Sequence, residues 1–469
     1  MKPLLLALTL ALSLTAPAVA APAPAVPFST VSLPSSQVAV YAIEDPRLPR
    51  VWYDLRFEAG ERYVPANLAG MSALAAEVLN RGPASIPYGD YRQELFRLGA
   101  EINWKSDNRF LTAQVKSRPE HLARVTALVR RAASEPRLDE ETFQQLKARL
   151  VGQRRAMNDD MSTIIFHYGS QKLWDFRPES RRTEGWVESL STIERAELFG
   201  FLRTRLAAPE TYVAAAGPMP APRLASALEA PLAGWAKPFV AEPAAFPATG
   251  KRRAVVLIDK PGATDNQIVM LAPHPVSLTS GEAAAAEVFL AGMGYGLGAR
   301  LGKTLRVERG LTYHASSGLR RGEWPSWYAY SFGGNEQAPK IVSGLYELFD
   351  QAKTGLSAEE TARAKDQLLK SLATGMETPA EQMDAVAGAV GIGLPASYPF
   401  MRKQLLEGVT PEQVNAQARR IAGLEGMVLF VMGDAATIQG PLAKALPEGT
   451  PIEVKSFEAI SSEARAAGQ

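Results

Sequence analysis

The sequence contains no cysteine, only four histidines in 469 residues, and almost no net charge, with 51 lysines and arginines against 49 aspartates and glutamates. The absence of thiols excludes disulfides, a cysteine nucleophile and a lipid-anchored cysteine. His121, His167, His274 and His314 are scattered, and no two stand four apart, so no ordinary zinc helix is written in the chain. The even charge offers nothing to a polyanion, and no basic stripe of the kind that binds nucleic acid is present. A Gly-x-Ser-x-Gly nucleophile elbow is also missing.

Long apolar runs are equally scarce. The one at the start, from Leu4 to Leu14, follows Lys2 and leads through Pro17 to Ala18-Val19-Ala20. A basic residue, a short apolar core and an A-x-A end read as an export leader over residues 1–20, cut after about Ala20. The run is too short to span a bilayer, and no other stretch approaches about twenty apolar residues. The expectation is an exported chain without a membrane span, most simply in a bacterial periplasm. The remaining 449 residues are too many for one ordinary domain.

The body reads as a duplication. Val38–Glu44 and Ala254–Asp259 are both strands that run into a turn. Ala75-Ala-Glu77-Val78 recurs as Ala285-Ala-Glu287-Val288, and the pair Glu141-Thr142 recurs as Glu360-Thr361. Ser191-Thr-Ile-Glu194 and Thr410-Pro-Glu-Gln413 both have the spacing of a capping box. Each half closes on an apolar strand ending in glycine, at Gly217 and Gly433. Five echoes in one order, at offsets of 210 to 219, predict a domain of about 220 residues present twice. The expected limits are 21–240 and 250–469, joined by a linker at 236–250 with three prolines.

Within the first copy, adjacent strands precede grouped helices. Strands are expected at 38–44, 51–57, 102–104 and 110–116, and helices at 66–80, 91–98 and 161–173. Two further helices carry the apolar stripes Leu122, Val125, Leu128, Val129 and Phe143, Leu146, Leu150. The fold class is therefore α+β, two homologous domains, each a largely antiparallel sheet packed with helices.

One stretch carries candidate chemistry: Leu301-Gly-Lys-Thr-Leu-Arg306-Val-Glu-Arg-Gly310-Leu-Thr-Tyr313. A helical segment holds Arg306, Gly310 breaks it, and Leu311-Thr312-Tyr313 restarts as β-type sequence. The guanidinium and the phenol together offer donors suited to a peptide carbonyl. The same pair equally fits a solvated helix-end cation and a ring packed in a sheet core. His314 is assigned a structural role on the opposite strand face. Upstream, Gly292-x-Gly-x-Gly-x-Gly298 lacks the spacing of a phosphate loop and reads as a flexible glycine segment. Trp324 to Phe332 alternates as a strand with one face in the core.

The duplicated α+β halves, their glycine-ended closing strands and Leu305-Arg306-x-x-x-Gly310-Leu311-x-Tyr313 resemble the pitrilysin/insulinase-type zinc metallopeptidases, including the mitochondrial processing peptidase. The resemblance implies half of a clamshell around a peptide chamber, with Arg306 and Tyr313 holding substrate carbonyls opposite a zinc site. That site is expected on a first-half helix, in an inverted H-x-x-E-H motif followed by a distant glutamate. Aligned on Gly70 and Gly82, this chain has Ala73 and Glu77 at the two histidine positions, Ala76 at the general-base glutamate, and Gln153 near the third ligand. Catalytic zinc needs three protein ligands and a carboxylate beside its water, and two of these side chains have no donor atom. Glu77 and its twin Glu287 read as solvated helix positions.

The resemblance thus implies a non-catalytic subunit with no metal of its own. Its partners would be a homologous H-x-x-E-H subunit, where zinc is expected, and a peptide substrate. The rival reading is a peptide-binding or scaffold protein that kept the fold without proteolysis, as in some respiratory-complex core subunits.

Overall fold

The structure is a computed structural model that describes residues 27–158, 160–241, 246–247 and 254–467. The leader, its cleavage point, the segment 21–26 and part of the linker lie outside these residues. No helix among the described residues is long and apolar enough to cross a membrane.

Seven strands form the first sheet: β1 (Ser29–Ser32), β2 (Ala39–Glu44), β3 (Val51–Phe57), β4 (Glu101–Ser106), β5 (Leu111–Ser117), β6 (Glu210–Gly217) and β7 (Lys237–Pro238). Their order is β1-β2-β6-β3-β5-β4, with β7 beside β6. Only the pairings of β6 with β2 and β7 are parallel. Helices of this half are α1 (Met71–Leu79), α2 (Tyr88–Arg97), α3 (Leu122–Ser134), α4 (Glu140–Met157), α5 (Met161–Leu173), α6 (Val187–Thr192), α7 (Arg195–Arg205) and α8 (Ala221–Leu232).

The second sheet holds β8 (Ala254–Asp259), β9 (Asp265–Pro273), β10 (His314–Arg320), β11 (Ser326–Gly334), β12 (Val428–Gly433) and β13 (Ile452–Ser456), in the order β10-β11-β9-β12-β8-β13. Reversed, its first five strands reproduce β2-β6-β3-β5-β4, parallel pair included. Its helices are α9 (Gly281–Gly294), α10 (Ala338–Ala352), α11 (Ala358–Thr374), α12 (Pro379–Gly391), α13 (Tyr398–Glu407), α14 (Pro411–Ala422), α15 (Ala435–Ala445) and α16 (Phe457–Ala466).

Local sequence explains many boundaries. Asp139 caps α4 by accepting from Thr142 N–H at 2.9 Å, and Ser357 caps α11 by accepting from Glu360 N–H at 3.1 Å. Each such cap contributes about 1 kcal/mol. The capping box at Thr410 forms, with Pro411 in the first turn of α14. Its expected twin at Ser191 does not: Ser191 lies inside α6 and bonds back to Val187 O, while α7 starts after Glu194. The competing bond is the i−4 contact that a mid-helix serine makes. The helix expected over 66–80 is split, because Gly70 adopts φ +99° between a short 3₁₀ turn and α1.

The halves interlock by exchanging helices. α5, which the sequence places with the first copy, buries Ile164, Ile165 and Tyr168 against Val269, Leu271, Phe430 and Met432 of the second sheet. In return α12 lays Met383, Val386 and Ala387 on Ile43, Tyr212 and Ala214 of the first. Both central strands are therefore covered on both faces, which is why β6 and β12 are buried almost without a break. A Cβ at Gly169 would stand 2.9 Å from Leu271, so the glycine lets α5 approach the sheet closely.

Candidate substrate-binding site

Arg306 lies in a widened, π-helical stretch, Gly302–Glu308, whose buried Leu305 anchors it to the second half's core. Arg309 N–H reaches back to Thr304 O at 3.0 Å, and Leu311 N–H to Leu305 O at 2.9 Å. π-helical turns of this kind recur at functional sites. Gly310, at φ +60°, turns the chain out of the stretch. Leu311–Tyr313 is not strand as expected; β10 begins only at His314. The reason is Thr312, whose buried hydroxyl accepts from His314 N–H at 3.1 Å and is bonded by Ser331 Oγ at 3.0 Å. That local bond competes with strand pairing and leaves Tyr313 in a bend, 76% exposed.

Charge pairing distinguishes Arg306 from its neighbours. Arg300 forks onto Glu360 with both contacts at 2.7 Å, and that ion pair holds the Glu360 carboxyl down to about 2. Lys303 faces Glu308 at 3.8 Å, and Arg309 faces Glu347 at 2.8 Å. Arg306 is exposed and has no hydrogen bond or ion pair among the described residues, nor does the Tyr313 hydroxyl. Tyr295, Leu297 and Val307 add exposed apolar surface from the same segment. His314 is exposed as well, its ring 5.7 Å from Tyr330, because the bend at Tyr313 removes the expected alternation.

The glycine segment divides in two. Gly292 and Gly294 are buried inside α9, where a Cβ would come within 2.3 Å of Leu356 and 2.1 Å of Ser317 N. These two are contact glycines that let α9 lie against β10 and the turn before α11, whereas Gly296 and Gly298 stand in an exposed turn that leads to the Arg306 stretch.

The positions aligned with a zinc motif lie on α1 and α4. Ala73 is half-buried and Ala76 buried, and Glu77 is ion-paired to Arg149 of α4. Gln153 is exposed on the same helix, four residues beyond Arg149. These residues do not fit zinc: two lack donors, and the one carboxylate already has a cationic partner. No three His, Asp or Glu side chains gather as a metal site among the described residues.

Glu287 corrects a second expectation. It is buried rather than solvated, 2.9 Å from both Arg321 and Arg402. Burial nonetheless raises its carboxyl above the usual range, opposed by Arg321. It lines a cavity of about 470 Å³ among α9, β10, α11, α12 and α13.

A buried feature near α1 escaped the sequence. Glu61 is fully buried and accepts from Gly70 N–H at 2.7 Å, Ser72 N–H at 3.3 Å and Ser72 Oγ–H at 2.5 Å. Burial pushes its carboxyl up to about 8, against the opposite pull of those bonds. The available signal was the glycine before α1: a helix start without a capping side chain needs an acceptor from elsewhere.

Residues 192–368 match the family described as "Peptidase M16 inactive domain". Over 167 residues the chain is 22% identical to cytochrome b-c1 complex subunit 1, mitochondrial, of Mus musculus, covering 36% of this chain and 34% of that one. The chain thus spans about a third of the length of the curated relatives it matches. Among solved structures, a peptidase M16 inactive domain from Pseudomonas fluorescens superposes with a TM-score of 0.74 at 20% identity, covering 87% of this chain and 98% of that one. The first half of the periplasmic protease PqqL from Escherichia coli gives 0.68 at 14% identity, over 94% and 97% of the two chains. The fold is that of these solved structures, and the family likeness to the inactive M16 domain lies in residues 192–368.

Proposed function

We propose that the chain is a non-catalytic, periplasmic subunit of a pitrilysin-type zinc peptidase, lending Arg306 and Tyr313 to the active site of a homologous H-x-x-E-H partner. The observation that carries the reading is the pairing pattern of 300–309. Arg300, Lys303 and Arg309 each have a carboxylate partner, whereas Arg306 is exposed and unpaired among the described residues. A cation held on an anchored helix without a partner suits a ligand supplied from outside. Tyr313 stands just beyond the same turn, offering one O–H donor. Donors aimed at the oxygen that gains charge in peptide hydrolysis stabilise the transition state by ~2.7–4 kcal/mol each in comparable sites. Zinc and the general base would belong to the partner, since Ala73 and Ala76 provide neither.

The test is reconstitution with an H-x-x-E-H homologue. The chain alone should be inert, and mixing should give chelator-sensitive cleavage beyond the partner's own. Robust cleavage by the lone chain, with contaminants removed, contradicts the proposal. The similarity to a cytochrome b-c1 complex subunit favours a second reading, a scaffold that retains the fold alone. Stable assembly with no gain in cleavage selects that reading.

A further inference from the structure

A second cavity, of about 280 Å³, lies where the two halves meet, its walls including His167, Arg181, Arg182, Glu184, Arg320 and Trp324. Arg182 is 3% exposed, and none of its three guanidinium nitrogens makes a hydrogen bond among the described residues. The nearest carboxylate to it among the described residues is Glu184, 3.5 Å from Nε, whose Oε2 is likewise buried without a hydrogen bond. Behind it Arg154, 1% exposed, spends Nε on Gly185 O at 3.0 Å and leaves both Nη atoms unbonded. The two guanidinium groups share the Trp186 ring, 5.8 and 5.4 Å from its centre. Arg181 Nε and the Trp324 indole N–H are also buried without acceptors.

Donors therefore outnumber acceptors around this space, and so do cations. Arg321 is taken by Glu287, and Glu323 is taken by Arg62. That leaves Arg181, Arg182 and Arg320 on the walls against Glu179 and Glu184, a surplus of one positive charge, with Glu188 and Asp160 acting on Arg154 and Arg182 from behind. Burial holds the His167 imidazole down to about 4, so it adds none at neutral pH. A buried charge without a hydrogen-bonding partner is costly, and a guanidinium fork matches an oxyanion in shape. At about 30 Å³ per water, the space holds a small anion with several waters.

We propose that this cavity binds a compact oxyanion, a phosphate or a short dicarboxylate, gripped by Arg182 with the Trp324 N–H and neighbouring arginines. Because the walls come from both halves, the anion would bridge the 181–184 segment of the first to the β10–β11 hairpin of the second. This inference does not depend on the peptidase reading.

The experiment is calorimetric titration and thermal unfolding of the full chain with inorganic phosphate, with succinate, and with sodium chloride at matched ionic strength. One anion per chain and a melting temperature that climbs with its concentration are expected from at least one of the first two. Whichever does so identifies the class. Arg182→Met should leave the anion-free melting temperature unchanged or higher, since it removes a buried unsatisfied charge, and should weaken binding at least tenfold. If that variant fails to fold, Trp324→Phe removes the indole donor while keeping an aromatic ring against Trp174, and should weaken binding several-fold. Stabilisation no greater than that of chloride, or full binding by these variants, overturns the proposal.

Discussion

Glu287 and Arg402 are joined at 2.9 Å inside the second half, whereas Glu77, at the same place in the repeated helix, reaches outward to Arg149. One sequence echo thus hides two environments. Glu287→Ala should cost at least ~2 kcal/mol, approaching the ~3–5 typical of a broken buried pair but lessened because Arg321 can turn to solvent. Glu77→Ala should cost under ~1 kcal/mol, the range of a surface pair. Urea midpoints of the two variants check this, and equal losses would show that burial does not separate them.

Tyr313→Phe removes one donor and keeps the ring. At 76% exposure the change should leave stability within ~0.5 kcal/mol and assembly with the partner intact. In the complex, kcat/KM should fall on the order of ten- to a thousand-fold. Arg306→Ala should act in the same direction, and the double variant should lose less than the product of the two effects. A full-speed Tyr313→Phe complex would remove the substrate-binding assignment.

The purified chain should carry no stoichiometric zinc. The triple change Ala73→His, Ala76→Glu and Glu77→His restores donors but places a carboxylate at a buried position and strips Arg149 of its partner. A loss of stability with little bound metal is expected. Metal analysis finding one tightly held zinc in the unaltered chain would contradict the assignment.

Stability should peak near pH 6.5. Burial holds His274 and His167 down to about 4, below their ordinary 6.5. Between those values the unfolded chain binds more protons, so stability rises with pH. Glu61 acts in reverse: its folded value of about 8 lies above its ordinary 4.5, so stability falls as pH rises between them. Two histidines outweigh Glu61 below 6.5, and above it their contribution fades while Glu61, with Glu287 acting in the same direction, lowers stability. Urea midpoints should therefore decline from pH 6.5 to 8, and Glu61→Gln should flatten that decline. A midpoint that keeps climbing to pH 8 would refute the assignment to Glu61.

The sequence by itself determined what is local. Alternation placed β3 at Val51–Phe57 and helical spacing placed α5 at Met161–Leu173, residue for residue. The missing donors at Ala73 and Ala76 are chemistry, legible without coordinates. Only the tertiary structure decided which surfaces those elements cover. An apolar stripe reports that a face is buried, not by what, so α5 read as part of its own half although it packs on the other sheet. For the same reason Glu77 and Glu287 looked alike, and nothing in the local sequence singles out Arg154 and Arg182. Their burial depends on Trp186 and on a hairpin some 140 residues away, and no local pattern encodes a partner at that distance.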